Sequence, residues 1–238
     1  MVQPLTYSTF TTELALLAVV SPTDPNFLSN LPSAINYAEL RIYRDLDLLA
    51  TVMAVTGFSL TANSNILTLP EDAFVTLQNI NVLTPIGQAN PLGTTRNPLT
   101  ARSKDYLYAV WGSAAGATLP RDMAILNTST VLLGPWPDQN YALEIVGTIR
   151  PPSLSAANTT TWISTYMPDL LLYAAMIFIS GYQRNFGLTG NDPAMGVTYE
   201  SQYQTMMKSA SVEEARKKFQ SSGWTSMSPA IAATPTRG

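Results

Sequence analysis

Carboxylates are the first residues to consider for chemistry, because the 238-residue chain contains neither His nor Cys. This composition excludes Ser-His-Asp triads, thiol nucleophiles, disulfides and the usual zinc ligand sets. General acid or base catalysis would have to use carboxylates, Lys or Tyr. A glycan hydrolase is the enzyme class that remains, and it needs two acids in a groove, one of them with a raised pKa.

Two acidic pairs are adjacent in the sequence, Glu71/Asp72 and Glu213/Glu214. Adjacent residues on a helix or strand do not face each other, so neither pair is a natural catalytic dyad. A pair of acids distant in sequence stays open. We therefore predict no catalytic residue, no cofactor-binding residue and no metal ligand.

Other motifs that could carry chemistry are weak. The chain has no phosphate-binding glycine loop and no dinucleotide fingerprint. The segment Gly112–Gly116 follows a short predicted helix instead of preceding one, which indicates a flexible loop. Arg216, Lys217 and Lys218 share a predicted helix with two Glu residues, which favours a solvated face over a nucleic-acid patch.

Low charge is the main feature of the composition. Only 12% of the residues are charged, the net charge is −3 and the pI is about 4.9. An acidic chain is not expected to hold nucleic acid by electrostatics. Either other subunits cover much of the surface, or the surface is polar and rich in Ser, Thr and Asn.

Membrane and export signals are absent from the sequence pattern. The longest apolar run, Leu170–Ser180, is shorter than the roughly 18 residues that a membrane span needs. No cationic segment precedes the apolar run Leu14–Val20, so we expect neither a cleaved signal peptide nor a membrane partner.

Helices are predicted at the N-terminal end, where they would form one side of a core. The spacing predicts a helix over Leu5–Val20 and a second over Leu31–Val55, whose apolar residues recur every three or four positions. Arg41 and Asp45 are i,i+4 partners on the polar face of the second helix.

Short strands are predicted after Gly57. Met123–Leu126 and Val131–Leu133 flank a turn and form a hairpin, and Tyr141–Arg150 alternates as a half-buried strand with Glu144 on its polar face. Pro85–Thr100 reads as an exposed loop. A short helix is expected over Lys104–Trp111, capped by Ser103.

Helices return after Pro151. One begins at Pro168 and is apolar nearly all round over Leu170–Ile179, so it should be central to a bundle. Another spans Pro193–Phe219 and carries the pairs Glu213–Lys217 and Glu214–Lys218. A capping-box pattern, Ser211-x-x-Glu214, could break this helix and restart it.

These elements predict an α+β fold: a helical bundle built from N- and C-terminal helices, with an inserted β-rich domain and an extended C-terminal tail. The expected boundaries are 1–56 for the N-terminal helices, 57–158 for the insert, 159–220 for the C-terminal helices and 221–238 for the tail.

The tail has no periodicity, yet it carries Trp224, Met227 and Ile231, which are costly to leave in water. A purely solvating tail would carry charge instead. Together with Phe219, we expect these residues to dock onto a partner. The four tryptophans, Trp224 included, sit beside Gly, Pro, Ser or Thr and are candidate interface anchors, although core packing is the simpler interpretation for any one of them.

A succession of short motifs resembles a known family. In order they are Ala38–Leu46, Leu67–Phe74, Val131–Pro137, Tyr141–Arg150 and Pro168–Ala174. This order resembles the head-to-tail connector adaptors of tailed bacteriophages, notably the podovirus-like portal adaptors. The likeness covers roughly residues 30 to 210.

The resemblance implies a virion protein of the neck, assembled in the host cytoplasm. Such adaptors form a homo-oligomeric ring, usually of twelve copies, that docks onto the portal protein and carries the tail tube or nozzle protein. Genomic DNA passes through the channel without specific binding during ejection. Their C-terminal segment reaches the portal or a neighbouring adaptor, a role that Phe219–Gly238 would take here.

The leading hypothesis is therefore a structural adaptor without catalysis. One alternative is a carboxylate-based hydrolase of cell-wall glycans in the tail, and another is a different neck or tail completion protein.

Overall fold

The computed structural model describes residues 4–71, 73–87, 93–183 and 194–219, which form six α-helices and two four-stranded sheets. The chain divides into two compact units. Residues up to 50 and from 151 onward form the first, here called the helical unit, and residues 51–150 form the second, the β unit. The predicted α+β class is confirmed.

The helices are α1 (Tyr7–Leu17), α2 (Pro25–Asp45), α3 (Lys104–Val110), α4 (Trp162–Tyr166), α5 (Pro168–Gln183) and α6 (Ala194–Phe219). The strands are β1 (Val52–Ser59), β2 (Ile66–Thr68), β3 (Thr76–Thr84), β4 (Thr95–Pro98), β5 (Thr100–Ala101), β6 (Asp122–Ile125), β7 (Thr130–Gly134) and β8 (Ala142–Thr148). Helix α3, with Ser103 as its N-cap, appears where it was predicted.

The first helix ends in an unusual cap. The amide of Val20 donates to the carbonyl of Ala15 at 3.0 Å, and the amide of Val19 donates to Leu16 at 3.1 Å. These two bonds define a Schellman motif, in which the residue at the position of Val19 takes a left-handed backbone, usually as Gly. Val19 adopts it with φ 56°, which is strained for a β-branched side chain.

The second helix is shorter than its apolar spacing predicts. It begins at Pro25, capped by Asp24, and ends at Asp45, so the predicted extension to Val55 is wrong. Leu46 and Leu48 are buried in the helical core without being helical, which prolongs the apolar pattern past the end of the helix. Residues 52–59 form β1 instead.

Helix α5 is central to the helical unit, as its composition predicts. It packs against α1, α2, α4 and α6, and its apolar side chains are buried among theirs. Helix α4, just before it, was not predicted; Thr161 and Ser164 form its capping box.

Helix α6 runs without interruption to Phe219, so the predicted break at Ser211 does not occur. Ion pairs and hydrogen bonds join α2 to α6 in register: Arg41 to Glu200 and Asp45 to Tyr203. The two helices therefore run in the same direction.

The β unit is built from two sheets that share one core. The first sheet has the order β1-β8-β3-β4 and is antiparallel throughout, and the second has the order β2-β7-β6-β5, with a parallel contact between β5 and β6. The predicted hairpin is β6–β7. The predicted loop Pro85–Thr100 is corrected in part, since Thr95–Pro98 pairs with β3.

Strand β8 is covered on both faces, which differs from the half-buried strand predicted. Glu144 is only 7% exposed because Arg96 and Asn81 lie over its carboxylate. In the part of the chain that the structure describes, no helix is long and apolar enough to cross a membrane.

Candidate functional site

Glu39 is the acid whose surroundings come nearest to those of a catalytic carboxyl. It lies on α2 in the helical core, and burial raises its pKa. Both carboxyl oxygens accept from the amide of Leu154 at 3.2 Å, and Oε1 accepts from Thr161 Oγ1 at 3.4 Å. Because only 1% of Glu39 is exposed, no substrate can reach it. Its role in this fold is to tie the segment before α4 to α2.

Two other carboxylates are held in the ionised form by arginines. Arg96 binds Glu144 through two bonds of 2.7 and 2.8 Å, and these lower the pKa of Glu144. Arg41 binds Glu200 at 2.8 and 2.6 Å and lowers the pKa of Glu200 in the same way. Both pairs connect separate elements and so stabilise the two units.

The predicted acidic pairs do not form a shared site among the described residues. Glu214 is buried and accepts from the amide of Leu49 at 3.1 Å, while Glu213 is exposed. Asp72 lies outside the described residues, so the pair Glu71/Asp72 cannot be placed. Within the residues described, no group of three acids is arranged to hold a metal ion.

The last turn of α6 is pinned at several points. Lys217 pairs with Glu213 and Glu214 at 2.7 Å each and lies 5.0 Å from the ring of Trp162. Lys218 forms an ion pair with Asp47, in the segment that follows α2. Lys217 and Lys218 thus form intramolecular pairs, as predicted for Lys217 with Glu213, and the last turn of α6 is held in place.

Of the four predicted docking residues, the structure places Phe219. It is the last residue of α6 and is 38% exposed. Trp224, Met227 and Ile231 lie outside the described residues, so their role stays a prediction.

Sequence reasoning missed an apolar surface at the turn between α1 and α2. Leu16 is 70% exposed, Val19 is 87% exposed, and Leu17 lies between them. A sequence signal was present, because the apolar run Leu14–Val20 is longer than one helix face can bury. Three neighbouring apolar side chains in water are typical of a contact surface.

Two tryptophans of the β unit belong to its packing. Trp136 Nε1 donates to the carbonyl of Trp111 at 2.7 Å, and Trp111 packs on Leu107 of α3. Trp111 Nε1 is buried and has no acceptor among the described residues. Tyr106 and Tyr108 on the same helix are both exposed, and because they are two positions apart they point to different sides of it.

Strand β1 lies at one edge of the first sheet, opposite the edge formed by β4. Only its pairing with β8 occurs in the described part of the chain, which leaves its outer backbone groups available. The strand Val52–Ser59 contains no charged residue and no Pro, and Met53 is 48% exposed. Edges of this kind accept an extended segment of another chain.

The comparisons with known proteins bear on what these surfaces serve. No curated protein matches the chain. Residues 5–229 match the family described as SU10 adaptor protein, a match that includes both units and half of the tail. Since this match covers most of the chain, the chain belongs to the SU10 adaptor protein family, whose members are structural adaptor proteins of bacteriophages.

Proposed function

We propose that this chain forms a ring at the junction between the head and the tail of a bacteriophage. Several copies, twelve by the resemblance to podovirus-like adaptors, dock onto the portal and present a platform for the tail tube or nozzle. The genome passes through the ring during ejection without specific binding. Membership of the SU10 adaptor protein family is the observation that carries this proposal.

Charge supports a channel through which DNA can slide. Twelve copies at −3 each give a ring of about −36, and a surface of the same sign as DNA releases no counterions from it. The low content of charged residues suits a subunit whose sides are covered by neighbours.

Exposed apolar side chains supply the contact surfaces that such a ring needs. Leu16, Leu17 and Val19 lie on the helical unit, and Tyr106 and Tyr108 lie on the β unit. The described carboxylates favour this function over a glycan hydrolase, because the acid with a raised pKa is buried and Glu144 and Glu200 are bound to arginines.

The C-terminal segment is the proposed anchor. The ion pair of Lys218 with Asp47 fixes the end of α6, and Phe219, Trp224, Met227 and Ile231 would dock beyond it, onto the portal or a neighbouring copy. Apolar residues joined to a fixed point lose less entropy on docking than residues of a loose chain.

The test is the mass of the complex after the chain is mixed with the portal ring encoded by the same phage. We expect a shift of about twelve subunits, and a variant that lacks residues 221–238 should show no stable shift. If the folded chain and the intact portal give no shift at any concentration, the chain acts elsewhere in the particle.

A further inference from the structure

The free edge of β1 demands a particular kind of partner. Alternate residues of the strand present N–H and C=O groups outward, and only an extended backbone can pair with a row of them. Met53 and Val55 lie along the face that looks toward the core of the β unit, whereas Ala54 and Thr56 lie on the other face. A bulge at Gly57, where φ is 107°, leaves Val52–Thr56 as the regular stretch.

The C-terminal segment has the sequence pattern of an edge strand. In a strand, successive residues direct both their backbone groups and their side chains to alternate sides. Pro229 and Pro235, which have no N–H, are six positions apart and so direct their backbones to the same side. Met227 and Ile231 share the parity of these prolines, so both large apolar side chains fall on one face.

This parity leaves one side of the segment intact for pairing. In an extended conformation, the backbones of Ser226, Ser228, Ala230, Ala232 and Thr234 would all point away from the proline side. Pro in a sheet is confined to edge strands with the missing donor facing outward. The segment also has no charge before Arg237, which matches the uncharged edge of β1.

We propose that residues 226–234 of one copy add as an extra antiparallel strand to the free edge of β1 in a neighbouring copy. The even-numbered backbones pair with β1, and Met227 and Ile231 cover the face that carries Met53 and Val55. This inference rests on the proposed ring and names the contact that links one subunit to the next.

A donated strand suits a ring because donor and acceptor are different surfaces. Such a head-to-tail contact repeats by rotation and closes when the last copy meets the first. In the closed ring the β1 edge of every copy is covered by a strand from a neighbour, so this edge is not left to pair wrongly. Residues 220–225 connect Phe219 to the proposed strand, and this length of extended chain, about 23 Å, sets the distance at which the neighbour's β1 must lie.

Two adjacent alanines provide a matched pair of variants. Ala232→Pro removes an N–H that faces β1, whereas Ala233→Pro removes one that faces outward. Both lie beyond α6, so the folded units serve as their own control by circular dichroism. We expect Ala233→Pro to assemble on the portal ring as the unaltered chain does, and Ala232→Pro to need about tenfold more protein or to fail.

If the two proline variants assemble equally well, the proposed contact between the C-terminal segment and β1 is wrong, whereas the proposed ring is unaffected. Failure of the unaltered chain to bind the portal would instead reject the ring itself. The same mass measurement therefore distinguishes failure of the strand contact from failure of the ring.

The copy that supplies the strand is tested by cross-linking, for which the absence of Cys gives a clean background. One chain carries Ala54→Cys, and another carries Ser228→Cys or Ala230→Cys. After mixing on the portal ring and mild oxidation, we expect linked dimers. Assembled rings that show no linked dimers would overturn the proposal. It would also be overturned if a chain that carries both Ala54→Cys and Ala230→Cys formed only monomers with an internal link.

Discussion

Two glutamates show that the surroundings of a residue, more than its type, decide what it does here. Burial raises the pKa of Glu39, and the Arg96 guanidinium lowers the pKa of Glu144. The sequence reveals the polar alternation that contains Glu144 but not its ion pair, because Arg96 is on another strand. Glu39 could have been noticed, since it lies four residues after Ile35 and three before Ile42, both on the apolar stripe.

Glu39→Gln should change how the stability of the helical unit depends on pH. A carboxyl whose pKa is raised from 4.5 in the folded state binds more protons folded than unfolded. Its contribution is complete below pH 4.5 and is lost as the pH rises through the raised value. Relative to the unaltered chain, the variant should therefore gain stability between pH 4.5 and pH 7.

Urea unfolding followed by helical circular dichroism at several pH values measures this difference. Glu13→Gln, at an exposed position of α1, is the control for removing a carboxylate from the surface of the same unit. If the curves of Glu39→Gln and the unaltered chain stay parallel over the same range, Glu39 does not titrate as described.

At the scale of elements, the sequence predicts helix content well and helix ends less well. The error over residues 46–55 arose because Leu46, Leu49 and Met53 continue a helical spacing, although two of them follow the helix as irregular chain and a 3₁₀ turn. Apolar spacing reports burial, and extended chain can be buried in the same core. Residues 52–55, which the spacing assigns to the second helix, instead belong to the edge strand β1.

The docking residues illustrate a second limit of sequence. Trp224, Met227 and Ile231 were chosen because a tail without charge has little reason to stay in water, and that argument names no partner surface. The exposed turn at Val19 was missed for the opposite reason. Leu16 and Leu17 lie within α1 but outside its buried face of Phe10, Leu14 and Ala15, and Val19 follows the end of the helix.

Val19→Gly should stabilise the helical unit by about 0.5 to 1 kcal/mol. A left-handed backbone costs an L-residue about 1 to 2 kcal/mol, and the greater freedom of Gly in the unfolded chain offsets part of the gain. Ala18→Gly, one residue earlier and in the right-handed region, should destabilise by about 0.5 to 1 kcal/mol.

Denaturation midpoints of the two glycine variants measure this contrast. Binding of the portal ring should weaken in Val19→Gly in spite of its higher stability, because the exposed apolar side chain is gone. A variant that is more stable and binds equally well would show that Val19 has no part in docking.

At the scale of the whole molecule, assembly should tolerate salt. The proposed contacts are apolar side chains and backbone hydrogen bonds, and neighbouring acidic copies repel each other more when the ionic strength is low. Raising NaCl from about 50 mM to about 500 mM should leave the concentration for half-assembly unchanged or lower it. A rise of tenfold or more would mean that ion pairs between subunits hold the ring together.

The two ends of the β unit are neighbours in space. The amide of Ile149 donates to the carbonyl of Thr51 at 2.9 Å, and Val52 is the register partner of Thr148. An insert whose first and last residues meet can be exchanged for another of different size without redirecting the host chain. The β unit could thus be exchanged as a cassette while the helices that α5 organises stay as they are.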